Sequence, residues 1–418
     1  MRQFINLAFF ILAAFCIQSY AQTFEIDRSI LNESATGTRA AGMGRAYTAM
    51  SNDTYALSWN PAGLSSVKKT MATISGSIGF GNIYIDPPQL IKTNKSYKAL
   101  QAGSFGLKYV GFVIPLPTKK YKMVTSLAVR NLADLNDSVT LTTIDLKREA
   151  TLDETTERSG GLFALSGGIG INILRNLNLG ASFNILTGQQ TLENKTNFSY
   201  NGNTSETWEK WQNKFSGLSF DFGFQWKASK KIWLGSRLTF PHTIHYTDIR
   251  MEDSNQRKRE YPIGASLSKP LSVAYGLAVF PIKDVTFVFD YIHRPWKKIK
   301  TTVNETEAND LFANASSFHM GIEYVIRGHA YLVPWRIGFF TRPEQIFDYN
   351  SKDPDARGDQ VSSHFVTGGF GIVTRTFHIN FALEYQILQY KFDMGIADNP
   401  FGLRQSKFNA TFGIEMML

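Results

Sequence analysis

The sequence predicts an all-β fold: a transmembrane antiparallel β-barrel of about 14 strands with an N-terminal plug, or hatch, inside its lumen. Three observations predict it. The C-terminal segments alternate strictly, with Phe377, Ile379, Phe381, Leu383, Tyr385 and Ile387 separated by His378, Asn380, Ala382, Glu384 and Gln386. A period of two sends these sets to opposite faces of a strand, and about ten such residues cross a bilayer. Short polar links also take turns with long polar ones along the chain, which is the outer-membrane pattern of periplasmic turns and extracellular loops. Finally, a secretory leader is followed by no run of ~18 apolar residues, the length a membrane helix needs.

The leader occupies residues 1–21. Arg2 supplies its charge, Leu7 to Ile17 its apolar core, and Ser19-Tyr20-Ala21 a small-x-small cleavage site, so the mature chain is expected to begin at Gln22. Cys16 is the only cysteine, and Phe15 before it argues against lipid attachment. The mature chain therefore has no thiol for a disulfide, a metal or a nucleophile. Aromatic residues are plentiful (32 Phe, 17 Tyr, 7 Trp), as are the 33 glycines. The net charge of +9 is spread along the sequence, which speaks for anionic lipid head groups and lipopolysaccharide rather than nucleic acid.

Residues 22–69 form the hatch segment and residues 70–418 the barrel. Strand candidates lie near 70–81, 103–115, 121–130, 161–173, 177–188, 217–227, 232–246, 270–280, 285–296, 317–326, 332–340, 363–374, 377–388 and 406–418. The long links, among them 131–160, 189–216 and 247–269, read as extracellular loops. Parity sets the faces. Leu218, Phe220, Phe222, Phe224 and Trp226 should meet lipid, as should Phe318, Met320, Ile322 and Tyr324. Opposite them, Asp290, His319, Glu323, Arg336, Glu384 and Glu415 should face the lumen, because a charge on the lipid face costs about 2–4 kcal/mol near the midplane. Two readings of these charges stay open: they solvate a polar interior, or they hold the plug.

The hatch segment is rich in small residues: Gly37-Thr38-Arg39-Ala40-Ala41-Gly42-Met43-Gly44-Arg45-Ala46-Tyr47, then Asn52-Asp53 and Trp59-Asn60-Pro61-Ala62-Gly63-Leu64. It is too short for a core of its own, and a barrel of this size leaves a lumen that wall side chains alone do not fill. Arg39 and Arg45 are expected to pair with lumen carboxylates among Asp290, Glu323, Glu384 and Glu415, since a buried unpaired charge costs several kcal/mol.

The run from Gly42, Gly44 and Arg45 through Asn60, Pro61 and Ala62 resembles the hatch of the FadL outer-membrane transporter family, and Ile83-Tyr84-Ile85-Asp86 extends the likeness. The resemblance implies a fourteen-strand barrel in the outer membrane of a Gram-negative cell, passing long-chain fatty acids or similar hydrophobic compounds. The wording around Gly37-Thr38-Arg39-Ala40 and Trp59-Asn60-Pro61-Ala62 is also similar to the PorV branch. That likeness implies a non-transporting barrel serving type IX secretion machinery as a shuttle or docking subunit.

Catalytic patterns are missing. The histidines form no HExxH pair, no Gly-x-Ser-x-Gly occurs, and Gly42-x-Gly44 lacks a third glycine at nucleotide spacing. His242 and His245 fall on opposite faces of a strand, which disfavours a metal. No enzyme, cofactor or metal centre is expected. One loop differs: Trp208, Trp211 and Phe215 stand at i, i+3 and i+7, one apolar face of a short helix, with Lys210 and Lys214 beside them. Such a face either captures an acyl chain while the lysines meet its carboxylate, or packs on the barrel rim among lipopolysaccharide.

Overall fold

The structure, a computed structural model, describes residues 28–31, 36–86, 97–145, 150–261, 264–303, 306–308, 312–350, 358–392 and 400–418. The leader and Cys16 lie outside the described residues. A single antiparallel sheet closes on itself as a fourteen-strand barrel. It begins with β1 (Met71–Asp86), β2 (Tyr97–Leu116) and β3, which runs over Lys122–Asp134 and resumes as Asp137–Asp145. Three long strands follow: β4 (Ala150–Leu174), β5 (Leu177–Tyr200) and β6 (Asn203–Trp226). Three interrupted strands come next. They are β7 (Ile232–Thr239 and His242–Asp253), β8 (Ala265–Lys269 and Ser272–Val279) and β9 (Val285–Arg294 and Lys300–Val303). The circuit ends with β10 (Ala315–Arg327), β11 (Leu332–Phe347), β12 (Gln360–Val373), β13 (Phe377–Phe392) and β14 (Phe401–Met417). Pairing of β1 with β14, from Met71↔Met417 to Asp86↔Gly402, closes the barrel. Lys258–Tyr261 and Thr306–Ala308 add short hairpin strands.

Closure satisfies every strand's backbone through its neighbours, which is what hydrocarbon demands. Side chains then sort by parity. On β11, Trp335 and Ile337 are 52% and 58% exposed, whereas Arg336 between them is 6% exposed. Phe220, Phe318 and Phe412 stand outside in the same way. This outward apolar belt around a closed barrel sets the protein in the outer membrane.

The interruptions in β7, β8 and β9 fall at Phe240-Pro241, Pro270-Leu271 and Pro295 to Ile299. A proline offers no N–H to the ladder, so each strand is interrupted there. The breaks in β7 and β8 are level, with Lys269↔His242 above and Ser272↔Thr239 below.

The described parts of 131–160, and 189–216, are mostly strand rather than loop. β4, β5 and β6 stay paired far beyond the membrane-spanning length, out to Tyr200↔Asn203 at the tip of their hairpin. Most of 247–269 is likewise strand. Above the bilayer the outer face of a strand meets water instead of hydrocarbon, so polar residues such as Thr191, Thr196 and Thr204 interrupt the alternation. The period-two hydrophobic signal disappears while the strand continues.

Inside lies the hatch. The short helices α1 (Thr38–Gly42) and α2 (Ala56–Trp59) and the 3-10 turn Pro61–Ser66 fold against the lumen wall. Met43, Tyr47, Tyr55, Leu57 and Leu64 are fully buried there. They pack on wall residues such as Tyr109, Val113, Val124, Ala278 and Val288.

Candidate functional site: the hatch and the lumen above it

Two arginines tie the hatch to the wall. Arg39, on α1, donates from Nε and Nη2 to both carboxylate oxygens of Glu323 at 2.9 and 2.6 Å. Arg45 makes the same forked contact with Glu384 at 2.7 and 2.8 Å, and its guanidinium lies 4.7 Å from the centroid of the Phe340 ring. A planar fork matching two carboxylate oxygens fixes orientation as well as charge. Arg336 joins the network by donating to Glu323 at 2.7 Å and Asn380 at 2.8 Å.

The other two lumen carboxylates do different work. Asp290 accepts the backbone N–H groups of Tyr47 and Thr48, each at 2.8 Å. Among the described residues Glu415 has no arginine in hydrogen-bond contact; its neighbours are Thr54 at 3.4 Å and Asn380 at 3.5 Å. Within the hatch, Arg39 reaches Asn52 at 2.9 Å, and the Tyr47 hydroxyl donates to Asp53. Burial raises the Asp53 carboxyl above its ordinary value, while Arg39 and the Tyr47 hydrogen bond pull the other way.

The quoted hatch motif has a local reason at each position. Gly44 and Arg45 take left-handed φ values of 61° and 59°, turning the chain out of α1. Gly44 N–H donates to the Thr367 hydroxyl at 3.0 Å, and Thr367 donates to the Gly42 carbonyl at 3.2 Å. Asn60 caps the 3-10 turn by accepting from Ala62 N–H at 3.1 Å, with Pro61 at its first position. Its amide also donates to the carbonyls of Thr48 and Phe224 at 2.8 and 2.9 Å, so one side chain joins two hatch segments to β6. One His319 ring nitrogen lies 3.0 Å from the Ser317 hydroxyl, and the other meets the Gly44 carbonyl at 2.9 Å.

Sequence reasoning missed the glycines of the wall. A Cβ at Gly338 would lie 2.1 Å from Gly44 N, at Gly321 2.4 Å from Met43 O, and at Gly223 2.2 Å from Asn60 Oδ1. Gly180 and Gly235 meet hatch backbone in the same way. These are seats for the hatch, and their signal was glycine at lumen parity in otherwise regular strands. Gly338→Val is therefore expected to unseat the hatch while the strand pairs persist, raising single-channel conductance in planar bilayers. Gly368→Ala is the control, since the nearest atom to its Cβ is 3.9 Å away. Unchanged conductance in Gly338→Val would show that the hatch tolerates the intrusion.

Above the hatch the lumen is apolar. Leu31, Leu162, Leu186, Ile244, Tyr246, Leu267 and Trp296 form one buried cluster with Trp211 and Phe215. The helical reading of the 204–216 segment is overturned, because these residues lie in β6. Period two replaces period 3.6: Trp211 and Phe215 point into the lumen, with Phe215 packed edge-on against Tyr246 at 5.1 Å. Trp208, Lys210 and Lys214 fall on the opposite face, where Lys214 pairs with Asp248 at 2.7 Å. The i, i+3 coincidence misled because 208 and 211 differ in parity while 211 and 215 agree. Between cluster and hatch lie two cavities of about 80 and 60 Å³. The first is lined by Leu31, Arg45, Trp59, Trp296, His319 and Phe340 among others.

A closed barrel with a salt-bridged N-terminal hatch defines a plugged outer-membrane barrel of the FadL-like fold. Solved structures agree on the fold. A Pseudomonas aeruginosa FadL homologue superposes with a TM-score of 0.61 at 13% identity, covering 92% of this chain and 98% of that one. The P. putida toluene transporter TodX gives 0.62 at 12% identity, with 92% and 99% covered. The Ralstonia pickettii toluene transporter TbuX gives 0.58 at 12%, with 93% and 100% covered. Among curated proteins none matches this sequence. Residues 30–385 match the BamG family, and the chain belongs to it.

Proposed function

We propose that this barrel passes hydrophobic small molecules, long-chain fatty acids or similar amphiphiles, passively across the outer membrane. The observation that carries the reading is the apolar layer above the hatch, where a water-filled pore would be polar. The ligand enters from the hairpins, rests against Trp211, Phe215 and Trp296, and leaves when the hatch yields. That solved barrels of this fold include proteins named as toluene transporters supports a hydrophobic cargo.

Uptake of a labelled long-chain fatty acid by an otherwise transport-deficient strain tests it. Truncating both rings removes the apolar wall that the ligand would rest against, at roughly 25 cal/mol per Å² of lost apolar contact. Trp211→Ala with Phe215→Ala is therefore expected to weaken capture about tenfold or more. Trp208→Ala, on the other face, should leave uptake unchanged. Wild-type uptake by the double variant removes the layer from the site.

A second reading is a non-transporting barrel that serves as a docking or shuttle subunit for secretion machinery. The anchoring of the hatch favours it: paired guanidinium forks and glycine seats resist the motion that transport requires. Absence of uptake by the unmutated protein would select this reading.

A further inference from the structure

Of the 44 basic residues of the sequence, twelve gather at one end of the barrel. The short turns and the hatch exit comprise residues 64–71, 116–122, 174–177, 226–232, 279–285, 327–332 and 373–377. They hold twelve lysines and arginines and one carboxylate, Asp284. Arg327 takes that carboxylate. The periplasmic end is thus a ring of uncompensated positive charge.

Within the ring, three ammonium groups gather at the mouth of the lumen. Lys68 lies where the hatch leaves the barrel and lines a recess of about 290 Å³. Lys122 opens β3 at the same parity as the lumen-facing Val124 and Ser126. Lys227 reaches under the hatch, 3.0 Å from the Ser66 hydroxyl, with its ammonium 4.4 Å from the centroid of the Trp233 ring. Burial, and then the charges of Lys122 and Lys68 beside it, hold the Lys227 ammonium below its ordinary value. Among the described residues none of the three has a carboxylate partner. Like charges brought together without a counter-charge repel, and an arriving anion offsets that repulsion.

We propose that the periplasmic mouth docks an acidic surface of a periplasmic protein, with Lys68, Lys122 and Lys227 as its anchor. A protein fits better than a lipid for two reasons. The three lysines face the lumen mouth rather than the lipid belt, out of reach of head groups packed around the wall. The ring also spans the whole circumference, a width that one head group does not match. The inference does not depend on whether the barrel conducts.

The test uses the full chain in phosphatidylcholine nanodiscs and a fluorescent polyglutamate peptide, followed by anisotropy at low salt. Saturable binding is expected, weakened about tenfold or more in the combined variant Lys68→Gln, Lys122→Gln, Lys227→Gln. Heat-modifiable gel mobility verifies that this variant folds. Lys119→Glu with Lys120→Glu, at an exposed turn tip, should also weaken binding without touching the hatch. Arg250→Gln with Lys258→Gln, at the opposite end, should bind as wild type. Undiminished binding by the triple variant overturns the proposal, as does an equal loss in the opposite-end control. Abolition of peptide binding by phosphatidylglycerol in the disc would make the occupant a lipid and overturn it too.

Discussion

Replacing Arg45 with methionine is expected to loosen the hatch more than any other single side-chain change. Glu384 is buried, and among the described residues it accepts, apart from both guanidinium contacts, from Asn409 at 3.0 Å. Removing the guanidinium leaves a carboxylate in a site built for an ion pair, a change that costs about 3–5 kcal/mol. Each 1.4 kcal/mol is about tenfold in an equilibrium, so the ratio of seated to unseated hatch should fall at least a hundredfold. Amide hydrogen exchange over residues 38–50 and conductance in planar bilayers both report that ratio. The double variant Arg45→Met, Glu384→Met carries no buried charge and should recover most of the protection. If the single variant exchanges and conducts like the wild type, the pair decorates the lumen and does not hold the hatch.

The same ion pairs mark how far the sequence could be read. Opposite charges on the small-residue segment and at lumen parity pointed to Arg39 and Arg45 meeting carboxylates among Asp290, Glu323, Glu384 and Glu415, of which Glu323 and Glu384 take the arginines. Parity assigned Phe220, Phe318 and Arg336 to their faces for the same reason: hydrocarbon on one side forces a period of two. Where hydrocarbon ends, the signal ends. Beyond the membrane β4, β5 and β6 have no hydrocarbon to make their outer face apolar, so their upper halves look like loops and Trp208, Trp211 and Phe215 look helical. Other features were present in the residues but needed closure to acquire meaning. Gly223, Gly321 and Gly338 read as gaps in good strands until the hatch backbone is seen against them. Lys68, Lys122 and Lys227 are far apart in sequence, and the circular order of the strands makes them neighbours. Asp290 was assigned to the lumen, yet its role as acceptor for Tyr47 and Thr48 N–H groups depends on a hatch turn that no periodicity encodes.

Deleting residues 23–64 is expected to leave a folded barrel that leaks. The pairing of β1 with β14 starts at Met71, beyond the deletion, and every barrel strand keeps its backbone partners. Glu384 loses Arg45, and Glu323 loses Arg39 but keeps Arg336; water then enters the lumen and solvates both carboxylates, so the penalty of an unpaired buried charge does not arise. What the barrel loses is the apolar packing of Met43, Tyr47, Tyr55, Leu57 and Leu64. Ile30 and Leu31 also go, thinning the layer above. The expected result is retained heat-modifiable mobility with a lowered transition temperature, together with large, steady conductance where the full chain is nearly silent. Failure of the truncated chain to fold would mean that the hatch is the core on which the wall assembles. A folded truncation that conducts no more than the full chain would mean that the apolar layer above the hatch closes the lumen by itself. Trp211→Ala and Phe215→Ala in the truncated barrel should widen the pore further, because both side chains project into the lumen above the vacated space.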